Sequence, residues 1–171
     1  MTRSTGKPKL EPLDKAGIRA EAEKYVEDAL KNLAGAEQVA TVAAGLVERS
    51  KDAANSLRAK RDDAALHLTI RDRRRGVPAA MGMNASYVWR MKNAVDARRV
   101  PLVENAEAQL VSTSQAVAFN EEVIRLATPV RDKAMRDLTA AGWTSEQIAE
   151  ITGLTGGRVR QVNLKKPDLV A

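Results

Sequence analysis

The sequence contains no cysteine and a single histidine, His67. The first absence excludes a thiolate nucleophile and a disulfide framework, and the two together exclude a zinc-finger ligand set. Aromatic residues make up only 3% of the 171 residues: two Trp, two Tyr and one Phe. With few β-branched runs beside them, they cannot furnish the pleated, half-buried faces of a β-sandwich or barrel. No apolar run approaches the roughly 20 residues that span a bilayer, and the opening MTRSTGKPKLEPLD has no signal-like apolar stretch. No carboxylate pair or Ser/His/Asp set accompanies His67 in the sequence, so neither an enzyme nor a cofactor is expected. A cytoplasmic location without membrane association follows from the same absences.

What is abundant is alanine, with 29 residues, the strongest helix former. The expected fold class is all-α. Alternating steps of 3 and 4 from Ala22 pass through Val26, Ala29, Leu33, Ala36, Ala40, Ala43, Val47, Ser50, Ala54, Leu57, Arg61, Ala64 and Leu68. This nearly unbroken seam has the spacing of a coiled coil. Gly35 allows it to be two helices, about 13–34 and 36–72. A further helix is expected from Pro101 to Ala127, and Thr128-Pro129 reads as a fresh helix start, with Thr as N-cap and Pro at the first helical position.

The net charge of +6 is unevenly spread. Residues 49–99 carry 13 Lys and Arg against 5 Asp and Glu. The expected organisation is a flexible basic tail at 1–12, a long helical segment at 13–60, a first compact unit at 61–99, a linking helix at 100–128, a second unit at 129–166 and a tail at 167–171.

Residues 142–166 read GWTSEQIAEITGLTGGRVRQVNLKK. Thr144 and Gln147 have the spacing of a capping box opening a short helix, and Gly153 supplies the positive φ of a tight turn. A second helix then turns Leu154, Val159 and Val162 inward and Arg158, Arg160, Gln161 and Lys165 outward. A short helix, a glycine turn and a basic outward-facing helix make a helix-turn-helix. Over about 20 residues, GLTGGRVRQV with Lys165 and Lys166 resembles the last helix-turn-helix of bacterial primary sigma factors. Gly156 and Gly157 stand where that family places long charged side chains, and Thr152 stands where it places an apolar one. The resemblance therefore implies a fold and DNA docking rather than a promoter specificity.

A second copy of the pattern lies upstream. VPAAMGMNASYVWRM (77–91) aligns without a gap on IAEITGLTGGRVRQV (148–162), so Gly82 matches Gly153 and Val88 matches Val159; RDDAALHL (61–68) matches RDKAMRDL (131–138). The chain thus reads as an internal repeat with two helix-turn-helix units.

Arg pairs with guanine and Gln or Asn with adenine in the major groove. The expected base-facing residues are Thr155, Arg158, Arg160 and Gln161 in the second unit and Asn84, Ser86, Tyr87 and Arg90 in the first. Thr144, Lys165, Lys166, Arg73, Arg74, Arg75 and Lys92 are expected at phosphates, where contacts add affinity without sequence information. Trp89 and Trp143 are expected as core anchors. The expected function is double-stranded DNA binding by a nucleoid-associated transcriptional regulator of bacterial or phage type, dimeric or of higher order through its long helices. Two alternatives are a regulator that docks on RNA polymerase or a sigma factor, and an oligomeric DNA-packaging or partition adaptor.

Overall fold

A computed structural model describes residues 8–96 and 99–164, and all regular structure among them is helical. The helices are α1 (Lys15–Leu30), α2 (Gly35–Leu66), α3 (Val77–Ala80), α4 (Ala85–Ala94), α5 (Ala106–Ala140), α6 (Ser145–Thr152) and α7 (Gly156–Leu164). A π-helical turn, His67–Arg71, follows α2 directly. Among the described residues no helix is long and apolar enough to cross a membrane.

The alanine-rich seam is buried over most of its length. Ala22, Val26, Ala40, Ala43, Val47, Ser50, Ala54, Arg61, Ala64 and Leu68 all lie in the interior, as the 3-and-4 stepping requires of one helical face. The seam breaks at Gly35, which has φ +85°, and the Gln38 side chain accepts from Ala34 N at 3.0 Å to cap the restart.

The described residues fall into two compact units, one drawn from 1–19 and 52–120 and the other from 20–51 and 121–171. The first unit packs Leu10, Ala64, Ala65, Leu68, Val77, Ala80, Met81, Val88, Ala106 and Leu110 into one core. Residues 8–12 are therefore not the flexible tail expected of them. Leu10 is only 4% exposed, its N–H donates to Arg75 O at 3.1 Å, and Leu13 N–H donates to Ala79 O at 3.0 Å. A Cβ on Gly76 would stand 2.8 Å from Leu10 O, so glycine at that position admits the close approach. Residues 1–7 lie outside the described set.

The second unit packs Ala134, Met135 and Leu138 of α5 with Ile148 of α6, Val159 and Val162 of α7, and Ala40. Each unit also buries one arginine. Arg61 is 5% exposed and lies 3.0 Å from Asp62 Oδ1; Arg131 is 4% exposed and lies 2.6 Å from Asp132 Oδ1. Both aspartates keep partial contact with water, which lowers the desolvation cost of the pairs.

The expected helix start at Thr128-Pro129 does not occur. Helix α5 continues through Pro129, and the Thr128 hydroxyl donates back to Ile124 O at 2.6 Å rather than capping a new helix. Pro129 sits on the exposed face, while Val123, Ala127, Arg131, Ala134 and Met135 on either side of it are buried. Packing of that face outweighs the one backbone hydrogen bond that proline cannot make. The helix expected from Pro101 begins instead at Ala106.

Restoring that hydrogen bond gives a test of the continuous helix. Pro129→Ala is expected to stabilise the fold by about 1–3 kcal/mol, read as a raised midpoint in thermal or urea unfolding. A lowered midpoint would show that proline fits a bend the fold needs.

Candidate nucleic-acid interface

The second unit assembles its exposed helix from the sequence upward. Thr144 is the N-cap of α6: its side chain accepts from Gln147 N at 3.2 Å, and Gln147 Oε1 accepts from Thr144 N at 2.9 Å, completing the capping box. The Thr144 acceptor is thereby engaged locally. Helix α6 ends at Gly153, with φ +67° and nothing within 4 Å of a Cβ built there, so the turn needs glycine for its backbone rather than for space.

Thr155 Oγ1 then accepts from Arg158 N at 3.2 Å, capping α7. Val159 and Val162 are buried, and Arg158, Arg160 and Gln161 are exposed on the opposite side. The three polar side chains are not independent. Arg158 Nη1 donates to Gln161 Oε1 at 3.2 Å, and Arg160 Nη2 donates to Glu146 Oε1 of α6 at 2.7 Å. Glu146 is exposed, and its carboxyl is held below the usual carboxylate range by a backbone hydrogen bond first and by Arg160 second. Lys165 and Lys166 lie outside the described residues. Asn163 donates to Thr139 Oγ1 at 2.8 Å, tying α7 back to α5.

The first unit has the same local devices with different side chains. Gly82 has φ +69°, and Asn84 caps α4 by accepting from Tyr87 N at 3.0 Å. Ser86 donates to Asn84 Oδ1 at 2.6 Å, so both of these candidate base contacts are joined in the cap. Tyr87 departs furthest from the expected base-facing set. Its ring packs against the core, its hydroxyl donates to Asp62 at 2.8 Å and Arg61 lies over the ring at 5.9 Å. Burial and then the Asp62 hydrogen bond push the phenol above its ordinary value. Arg90 and Lys92 are exposed on α4.

The arginines before α3 divide. Arg73 (φ +51°) and Arg75 are exposed. Arg74 is structural, donating to Pro8 O at 2.7 Å and pairing with Glu107 on α5; its side chain is nearly buried, so it is not available to phosphate as expected. Trp143 packs beside the second core, but Trp89 is 64% exposed and is not a core anchor. Its register on α4 turns it away from the face that carries Val88 and Met91.

The sequence pattern did not single out Glu146, because its partner Arg160 is 14 residues away on another helix. His67 is likewise engaged by a residue distant in sequence: its Nδ1 accepts from Val103 N at 3.0 Å. No group of His, Cys, Asp or Glu able to hold a metal ion occurs among the described residues. Comparison with protein-family models, curated proteins and solved structures finds no match to this chain.

Because no atom crowds Gly153, its substitution isolates the backbone contribution. Gly153→Ala is expected to cost about 1–2 kcal/mol in urea unfolding, whereas Gly157→Ala, inside α7 with nothing near its Cβ, is expected to add up to about 1 kcal/mol. Equal effects would show that the Gly153 turn does not need the left-handed conformation.

Proposed function

We propose that this chain binds double-stranded DNA through two helix-turn-helix units and acts as a sequence-specific transcriptional regulator. The observation that carries this reading is α7. Its apolar side is sealed by Val159 and Val162, its start is capped by Thr155, and its outer side presents Arg158, Arg160 and Gln161. A rigidly seated helix with that outer face suits the major groove, where arginine meets guanine bidentately and glutamine meets adenine. The glycines at 156 and 157 leave the first turn of α7 without side chains, so its backbone can approach a phosphate closely.

The repeat reading rests on matched details rather than on composition. At offsets of 70 and 71 residues, buried Arg61 and Arg131 each pair with the following aspartate. Gly82 and Gly153 share a positive φ near 68°. Asn84 and Thr155 make the same cap to the amide three residues on, and Val88 and Val159 are both buried. Two units so alike in backbone and so different in outer side chains fit a pair of contacts with one duplex, or with two half-sites if two copies of the chain assemble.

Anisotropy of a labelled duplex tests the reading. Affinity is expected to fall by roughly 100-fold between about 50 and 200 mM salt if about four phosphates are contacted. Absence of binding at micromolar protein, or binding indifferent to salt, would overturn it. In that case, co-purification with RNA polymerase would support the polymerase-docking alternative, and a ring or larger oligomer by light scattering the packaging or partition alternative.

The Glu146–Arg160 pair adds a pH dependence whose sign is determined. The depressed carboxyl stays ionised through neutral pH, so its stabilising pair persists there and is lost only as pH falls through that low value. Glu146→Gln releases Arg160 at neutral pH. It is expected to strengthen binding to random duplex and to steepen the slope of log affinity against log salt by about 0.9. It is also expected to abolish the rise in affinity that the native chain shows on acidification through the Glu146 titration.

A further inference from the structure

On α4 the residues Ser86, Trp89, Arg90 and Asn93 follow the i, i+3, i+4, i+7 spacing of one helix face, and all four are exposed. The opposite side holds Val88, with Tyr87 and Met91 packed against the first core. Trp89 is the most exposed aromatic residue among the described residues, at 64%. Tryptophan, with an apolar body and a polar N–H edge, is enriched at interfaces.

The surroundings of Trp89 indicate what covers it. Helix α4, ASYVWRMKNA, carries Arg90 and Lys92 and no carboxylate. Arg73 and Arg75 are exposed in the segment that leads into α3. The second unit differs at the matching positions. Arg160, paired with Glu146, stands where Trp89 stands. The first unit therefore has an indole where the second has a paired guanidinium. A basic helix face with a central aromatic complements a polyanion whose interior is apolar, which is the chemistry of nucleic acid rather than of an acidic protein surface.

We infer that α4 is a second duplex-DNA contact in which Trp89 lies against thymine methyl groups and deoxyribose in the groove while Arg90 and Lys92 meet phosphates. The inference rests on the DNA-binding reading above and extends it to a residue outside the expected base-facing set. The first unit then contributes apolar and phosphate contact, and the second contributes hydrogen-bonded base contact through Arg158, Arg160 and Gln161.

The chain has two tryptophans, so Trp143→Phe leaves Trp89 as the only indole reporter in the full-length protein. Addition of a duplex of about 30 base pairs, roughly three helical turns, is expected to quench Trp89 emission over the concentration range in which duplex anisotropy rises, and added salt is expected to reverse both signals. Trp89→Ala is expected to weaken duplex binding about tenfold, the loss of roughly 1.4 kcal/mol of apolar contact, with helical circular dichroism unchanged, and Trp89→Phe to retain most of the affinity. If anisotropy rises while Trp89 emission stays constant and Trp89→Ala binds like the native chain, this inference fails and the DNA-binding reading stands. If no duplex binds at all, the DNA-binding reading itself fails. Quenching by the single strand alone, or emission that shifts with protein concentration without DNA, would overturn the inference in favour of an unpaired strand or a second copy of the chain.

Discussion

A helix of nine residues has no stable existence in water, because nucleation is costly and too few hydrogen bonds follow it. Helix α7 holds its shape only because Val159 and Val162 are sealed, with Ile148, against Met135 and Leu138 of α5. Every property of its outer face depends on that burial. The same constraint governs α4, held through Val88 against the core that includes Ala64, Ala65 and Leu68. Long helices rich in alanine meet this need well, since a small side chain at the seam lets a short neighbour come close without a large aromatic to fill the gap. The scarcity of aromatic residues is thus a consequence of the packing, and it leaves Trp89 conspicuous.

The buried arginines extend the same logic to charge. Arg61 and Arg131 would be costly in the interior without a partner, and the adjacent aspartate supplies one in each unit. In the first unit this pair reaches further, because Asp62 also accepts from the Tyr87 hydroxyl and Arg61 lies over the Tyr87 ring. Position 87 is therefore drawn toward the core, whereas the matching position 158 remains on the surface. One residue type, set above an otherwise similar ion pair, turns an outward position inward.

Much of this was legible in the sequence because it depends on local periodicity. The seam placed even Ser50 and Arg61 inside, and the Thr144 to Gln147 spacing marked a capping box that is present. What was not legible depends on contacts distant in sequence. Pro129 reads locally as a helix start, and only the buried residues on both sides of it carry α5 through. Leu10 looks like part of a basic tail until Arg75 O receives its N–H. Arg74 is indistinguishable from its neighbours in the sequence, yet it alone of residues 73–75 is turned to Pro8 and Glu107. The proposal of DNA docking rests on the sigma-factor resemblance and on side-chain chemistry rather than on the fold.

The net charge of +6 consequently overstates and understates the surface in different places. Arg61, Arg74 and Arg131 are engaged within the fold and add little to any outward field, whereas α4 carries two cations and no carboxylate. On α7 the pairing of Arg160 with Glu146 has a further effect on the proposed recognition. Glu146 takes one Nη2 donor of Arg160; its negative charge opposes an approaching phosphate, whereas a neutral guanine can still accept from the remaining donors of the fork. On the proposed DNA-binding reading, the pair would lower affinity for random duplex more than for a duplex that places guanine opposite Arg160, so the acidic residue would favour discrimination over affinity.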